Sequence, residues 1–175
     1  MIKTSNYNYL FFSILTLTVI ILLCVSQTLS ISYKEALNVF VNNSVLSYIT
    51  NISIYIFGQN DFALRLPFIL FYTLSVLLMF NITKDYFRFE KDRYLSIFIF
   101  MILPGLISAS LLVNSAIIVT FFTLLYLYYY KKYNNHSYVL LLLYLFIDNS
   151  FAILYLAIFF YSVNKRDNKL VIFSI

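Results

Sequence analysis

The chain has 175 residues, of which 62% are hydrophobic, 21% aromatic and only 11% charged. A soluble domain is about 45–50% apolar and about 25% charged, so these residues cannot cover a surface facing water, and lipid is the expected solvent. Two Gly and two Pro leave little material for the tight turns of a many-stranded barrel, and the net charge of +5 is gathered in short links between apolar runs. That placement reads as topology signals and contact with anionic lipid, and nucleic acid is excluded as a partner. The expected fold is all-α, a polytopic transmembrane helical bundle.

Tyr9 to Leu29 is an uncharged, mainly apolar run of about 20 residues, long enough for a hydrocarbon core of about 30 Å. It lacks the small-x-small site of a cleaved signal and reads as an anchor with its N-terminus inside. Cys24, the only cysteine, lies within it, so no disulfide forms within the chain. We read it as a lipid-facing or packing residue.

Ser32 to Pro67 is the longest stretch that does not read as a span. Ser32 and Glu35 have capping-box spacing. A helix from Tyr33 places Glu35, Asn38 and Asn42 on one face and Leu37, Phe40, Val41, Val45 and Leu46 mostly on the other. This is the pattern of an external amphipathic helix lying in the membrane interface. Glu35 has two readings, a capping carboxylate and an outward-facing base for an acceptor hydroxyl or amine. Gly58 suits a left-handed helix end, Asp61 the N-cap of the next helix. Arg65, one turn in, suits lipid phosphate or an acidic partner.

The second span is expected at 66–82 and the third at 95–113, interrupted by Pro104-Gly105. The fourth is expected at 116–130 and ends in Tyr126, Tyr128, Tyr129 and Tyr130, an interfacial belt. Four basic residues in Lys84–Arg93 and two in Lys131–Ser137 place those links inside. The first long loop and the Pro104–Asn114 turn are then outside. Residues 138–163 cross once or form a helical hairpin turning near Asp148; the hairpin returns Lys165, Arg166 and Lys169 to the inside and relieves a carboxylate at mid-membrane. Residues 170–175 begin another apolar run, which reads as the N-terminal part of a longer protein. The single histidine, His136, excludes a histidine-based metal site or triad, and no Gly-rich phosphate loop is present. No cofactor is indicated. The abundance of Asn, Ile, Lys, Tyr and Phe suggests an AT-rich bacterial genome and hence the bacterial cytoplasmic (inner) membrane.

Phe57-Gly58, a short polar link and Ala63-Leu64-Arg65-Leu66-Pro67 resemble the segment that opens the second span in glycosyltransferase family 39. These are GT-C-type membrane enzymes that include protein O-mannosyltransferases and the aminoarabinose transferases of lipid A. The resemblance extends loosely over the remaining spans. It implies a polyprenyl-phosphate sugar donor, transfer outside the cytoplasmic membrane and an Asp-Glu pair in the first external loop. Here that pair is Lys34-Glu35, and Asn114 stands where many relatives carry Asp. Carried over, Glu35 is the candidate base, and Arg65, Asn114 and Asp148 are candidates for substrate contact, with no metal ligands. The alternative function is a non-catalytic polytopic protein, transporter-like or an accessory subunit.

Overall fold

A computed structural model describes residues 4–41, 44–132, 144, 148 and 151–165. Among them every regular element is a helix: α1 (Thr4–Ser26), α2 (Tyr33–Phe40), α3 (Val45–Phe57), α4 (Asp61–Tyr86), α5 (Glu90–Ile102), α6 (Pro104–Leu111), α7 (Ala116–Lys132) and α8 (Ala152–Lys165). α1 and α4 are each long and apolar enough to cross a membrane, and α5 with α6, bent by 47°, makes a third such unit. The protein is a helical, multi-pass membrane bundle. The chain divides into two compact units, Met1–Phe121 and Phe122–Ile175.

In the first unit α4 is the central post, packed against α1, α3, α5 and α6. Its inward face, with Phe68, Tyr72, Ser75 and Val76, is buried. Chain direction and contacts give the unit two ends. At one, Phe11 stacks on Phe80 at 4.6 Å, Tyr7 stacks on Tyr94 at 5.3 Å, and the Tyr94 hydroxyl donates to Asn8. At the other, α1 and α6 finish, α4 and α7 begin, and the α2–α3 stretch lies across them.

Apolar solvent makes every unpaired backbone group costly, and this sequence meets that cost locally. Hydroxyls on the spans return to carbonyls of their own helix, as Thr18 does to Ile14, Thr73 to Ile69 and Thr83 to Met79. Pro67, inside α4, has no N–H for the Ala63 carbonyl. The Ser53 hydroxyl of α3 fills that place. At Leu103–Pro104 the helix breaks, and the buried Tyr72 hydroxyl donates to the Met101 carbonyl at 3.0 Å.

Several boundaries differ from the sequence reading. α4 starts five residues before the expected Leu66 and runs to Tyr86, because its polar ends complete the turns that leave the apolar stretch. Asn60, not Asp61, is its N-cap; the Asn60 Oδ1 accepts the Ala63 N–H at 2.6 Å. Residues 104–111 are helix rather than turn, so the link to α7 shrinks to 112–115.

In the second unit aromatic rings make the contacts. Tyr144 and Phe151, both buried, stack at 4.9 Å, and Phe122 packs on both. Tyr126 is buried and stacks on Tyr130 at 5.8 Å, so the tyrosine cluster is in part packing and not wholly a belt. The first arm and the turn of the hairpin expected over 138–163 fall mostly outside the described residues. Within it, Asp148 is non-helical, and α8 follows from Ala152.

Candidate active site

α2 begins as its capping box dictates. The Glu35 N–H meets Ser32 Oγ at 3.4 Å, and the Ser32 N–H donates to Glu35 Oε2 at 2.8 Å. The other carboxylate oxygen reaches across the unit. Oε1 accepts the Val113 N–H at 2.9 Å and lies 3.8 Å from Arg65 Nη2. Asn38, one turn on, donates to the Val113 carbonyl at 3.3 Å. The polar face of α2 thus holds both peptide groups of Val113 in the α6–α7 link. Phe40 and Val41 face outward, 71% and 66% exposed. A soluble protein would turn such a helix the other way; with lipid outside, the polar face finds its partners inward. Asn42, the third expected member of that face, lies outside the described residues.

Glu35 itself is 4% exposed. Burial pushes its carboxyl up, but the N–H groups of Ser32 and Val113, the Ser32 hydroxyl and the Arg65 charge together bring it below the usual carboxylate range. It is held as an anion with its oxygens engaged.

Arg65 is the largest fully buried side chain described. Its Nε donates to the Leu111 carbonyl at 2.8 Å. Nη1 donates to Leu29 at 2.6 Å, Ser26 at 3.3 Å and Asp61 at 3.4 Å, and Nη2 to Ser30 at 3.1 Å. Ser26 and Leu111 are the last residues of α1 and α6, where a helix leaves acceptors without donors and carries its negative dipole end; Leu29 and Ser30 follow α1, and Asp61 opens α4. One guanidinium therefore caps two helices, and only its second Nη2 donor points toward Glu35.

Asp61 is different. Relieved of capping by Asn60, its side chain is 44% exposed and lies 3.9 Å from Arg65 Nη1. Gly58, at φ +84°, turns the chain between α3 and α4; a Cβ there would meet no atom within 4 Å, so the demand is purely conformational. Two recesses flank α3. One is an apolar cleft of 360 Å³ toward α4, lined by residues such as Ile52, Ile56, Pro67 and Leu70. The other, of 380 Å³, carries Asn51, Gln59, Asn60 and Asp61 among its walls.

Residues 44–163 match the family model described as dolichyl-phosphate-mannose-protein mannosyltransferase. The chain belongs to this family. It is a family of GT-C-type membrane glycosyltransferases that draw on a lipid-linked donor, which makes lipid and such a donor the chain's partners. No curated protein and no solved structure matches the chain.

The mannosyltransferase match opens at Ser44, the N-cap of α3. It takes in Arg65, Asn114 and Asp148 but begins after Glu35. Of the four residues singled out from sequence, Glu35 and Arg65 are brought together. Asn114 stands next to Val113, and its Oδ1 accepts the Ala116 N–H at 3.0 Å, at the entry to α7. Asp148 lies in the second unit, where its carbonyl accepts the Phe151 N–H at 3.2 Å. His136 lies outside the described residues. Among the described residues no group of His, Cys, Asp and Glu could hold a metal ion. Asp61 is an accessible acid beside Arg65 that the sequence, read with Asp61 as the cap, does not reveal. The neighbouring Asn60, an equally good N-cap, was the signal that could have found it.

Proposed function

We propose that this protein transfers a sugar from a polyprenyl-phosphate donor to an acceptor outside the bacterial cytoplasmic membrane. The observation that carries the reading is the pair of recesses on either side of α3. The apolar cleft suits an isoprenoid chain, and the polar cavity suits the hydroxyl-bearing part of a substrate. Family membership supports a lipid-linked donor. Lys84, Arg88, Lys91 and Arg93 favour the inside for their end. The α2–α3 end then faces outward, with the N-terminus inside.

In the reaction the acceptor oxygen forms a bond to the anomeric carbon. The bond from that carbon to phosphate breaks, and polyprenyl phosphate leaves with the electron pair. The acceptor proton passes to a carboxylate. From the sequence alone, Glu35 is the candidate for that role. Its inward-facing oxygens and lowered proton affinity instead suit a positioning residue that fixes the 112–115 link, with Asn114 at its edge. Asp61 has the access a base needs, and we assign it the proton. Arg65, committed to carbonyls, holds the frame rather than the donor phosphate.

The test is release of polyprenyl phosphate from radiolabelled polyprenyl-phosphate hexoses, using protein in nanodiscs and native envelope acceptors. Asp61→Asn is expected to slow transfer by about 10²–10⁴-fold with unchanged thermal unfolding. Full activity in that variant would remove Asp61 from the mechanism, and wild-type protein that consumes no donor would remove the transferase reading. A non-catalytic accessory role is the second reading. It is favoured by the burial of Glu35 and by Lys34 at the position of the family's other acid.

A further inference from the structure

Asn51 is out of character with its helix. α3 reads VLSYITNISIYIF, and its hydroxyl residues have structural duties. Ser47 donates to the Val39 carbonyl, Thr50 returns to Leu46 and Ser47, and Ser53 completes Ala63. The Asn51 side chain makes no hydrogen bond among the described residues, and the residue is exposed. Asn is a weak helix former because its amide competes with the backbone, so the fold does not call for it. Gln59 is the same case in the α3–α4 turn. Gly58 supplies the positive φ and Asn60 the cap, while Gln59 is exposed and makes no hydrogen bond among the described residues. Both line the 380 Å³ cavity with Asp61, and Phe40 is also among its walls.

We infer that this cavity is a subsite for a hexose ring, read by Asn51 and Gln59 and packed on its C–H face by Phe40. The inference rests on the transferase reading and adds to it the residues that recognise the sugar. Two amides offer donors and acceptors together, which is what ring hydroxyls require. No Lys or Arg is among the described lining residues, and the Asp61 carboxylate repels an anion, so the donor's phosphate is not the occupant. A purely apolar ligand would strip water from three polar groups without replacing their hydrogen bonds. The ring belongs to the donor or to an acceptor glycan, and the probes below separate these sources.

Wild type, Asn51→Leu, Gln59→Leu and the double variant are compared in nanodiscs. Equilibrium binding is measured for polyprenyl-phosphate mannose, polyprenyl phosphate without sugar, and methyl α-mannoside. The double variant is expected to lose about tenfold or more in affinity for a sugar-bearing probe, the effect of two lost hydrogen bonds. Its affinity for sugar-free polyprenyl phosphate and its thermal unfolding are expected to stay at wild-type values. A loss confined to the lipid-linked sugar assigns the donor; a loss confined to the free glycoside assigns an acceptor glycan. Unchanged affinity for both sugars, or no sugar-dependent binding by wild type, overturns the inference. In either of those cases, retained binding of polyprenyl phosphate leaves the lipid-linked donor reading standing. Failure to bind that lipid at all overturns the donor reading instead.

Discussion

Arg65 and Arg93 sit at opposite ends of the same three-span unit. Arg65 is 1% exposed, with five backbone carbonyls and Glu35 around it. Arg93 is half-buried. Its guanidinium lies over the Phe80 ring at 4.3 Å and the Tyr94 ring at 5.2 Å, Nη2 donates to the Phe80 carbonyl at 3.3 Å, and the buried Nε has no acceptor among the described residues. The difference lies in what each neighbourhood lacks. The α2–α3 end gathers the final carbonyls of α1 and α6 with those of the link after α1 and of the first residue of α4, so a cation with five donors is drawn fully inside. The Lys84–Arg93 end offers mainly aromatic faces, whose attraction for a cation is worth about 0.5–1 kcal/mol at exposed sites. Charge in an apolar chain is buried where acceptors outnumber donors, and elsewhere it stays at the rim and orients the protein.

The largest test of this contrast is Arg65→Ala. It removes the shared cap and leaves Glu35 as a buried, unpaired anion. A loss of about 3–5 kcal/mol is expected, read as thermal unfolding in detergent. Arg65→Lys is expected to rescue little, since a point charge with three donors cannot span two helix ends. Wild-type unfolding by Arg65→Ala would end the account of a two-helix cap.

A smaller and pH-shaped effect belongs to Glu35. Its folded-state proton affinity lies below the ordinary value of 4.5. Its contribution is therefore complete above that pH and is lost as pH falls through the folded value. Glu35→Gln is expected to unfold at lower temperature than wild type at pH 7, with the gap closing below about pH 4.5. A gap that stays constant with pH would show that the carboxylate charge is not what the α2 contact uses.

The smallest effect is expected from Arg93→Ala, about 0.5–1 kcal/mol, read in the same unfolding assay. A cost equal to that of Arg65→Ala would abolish the distinction between the two ends.

The long apolar runs alone determined that the chain is a helical membrane bundle, since lipid leaves few other ways to pair a backbone. The Ser32–Glu35 capping box was equally legible, because its partners are three residues apart. So was the Gly58 turn, because a positive φ there favours glycine. Tertiary structure decided the rest. Arg65 is a clamp because α1 and α6 end beside it, and Ser53 and Tyr72 serve carbonyls ten and twenty-nine residues away. Glu35 faces inward because the 112–115 link brings an unpaired N–H within 2.9 Å. Asp61 is left accessible because its neighbour took the cap. These outcomes depend on which backbone groups remain unpaired once the helices have packed, and that inventory does not exist until the chain has folded.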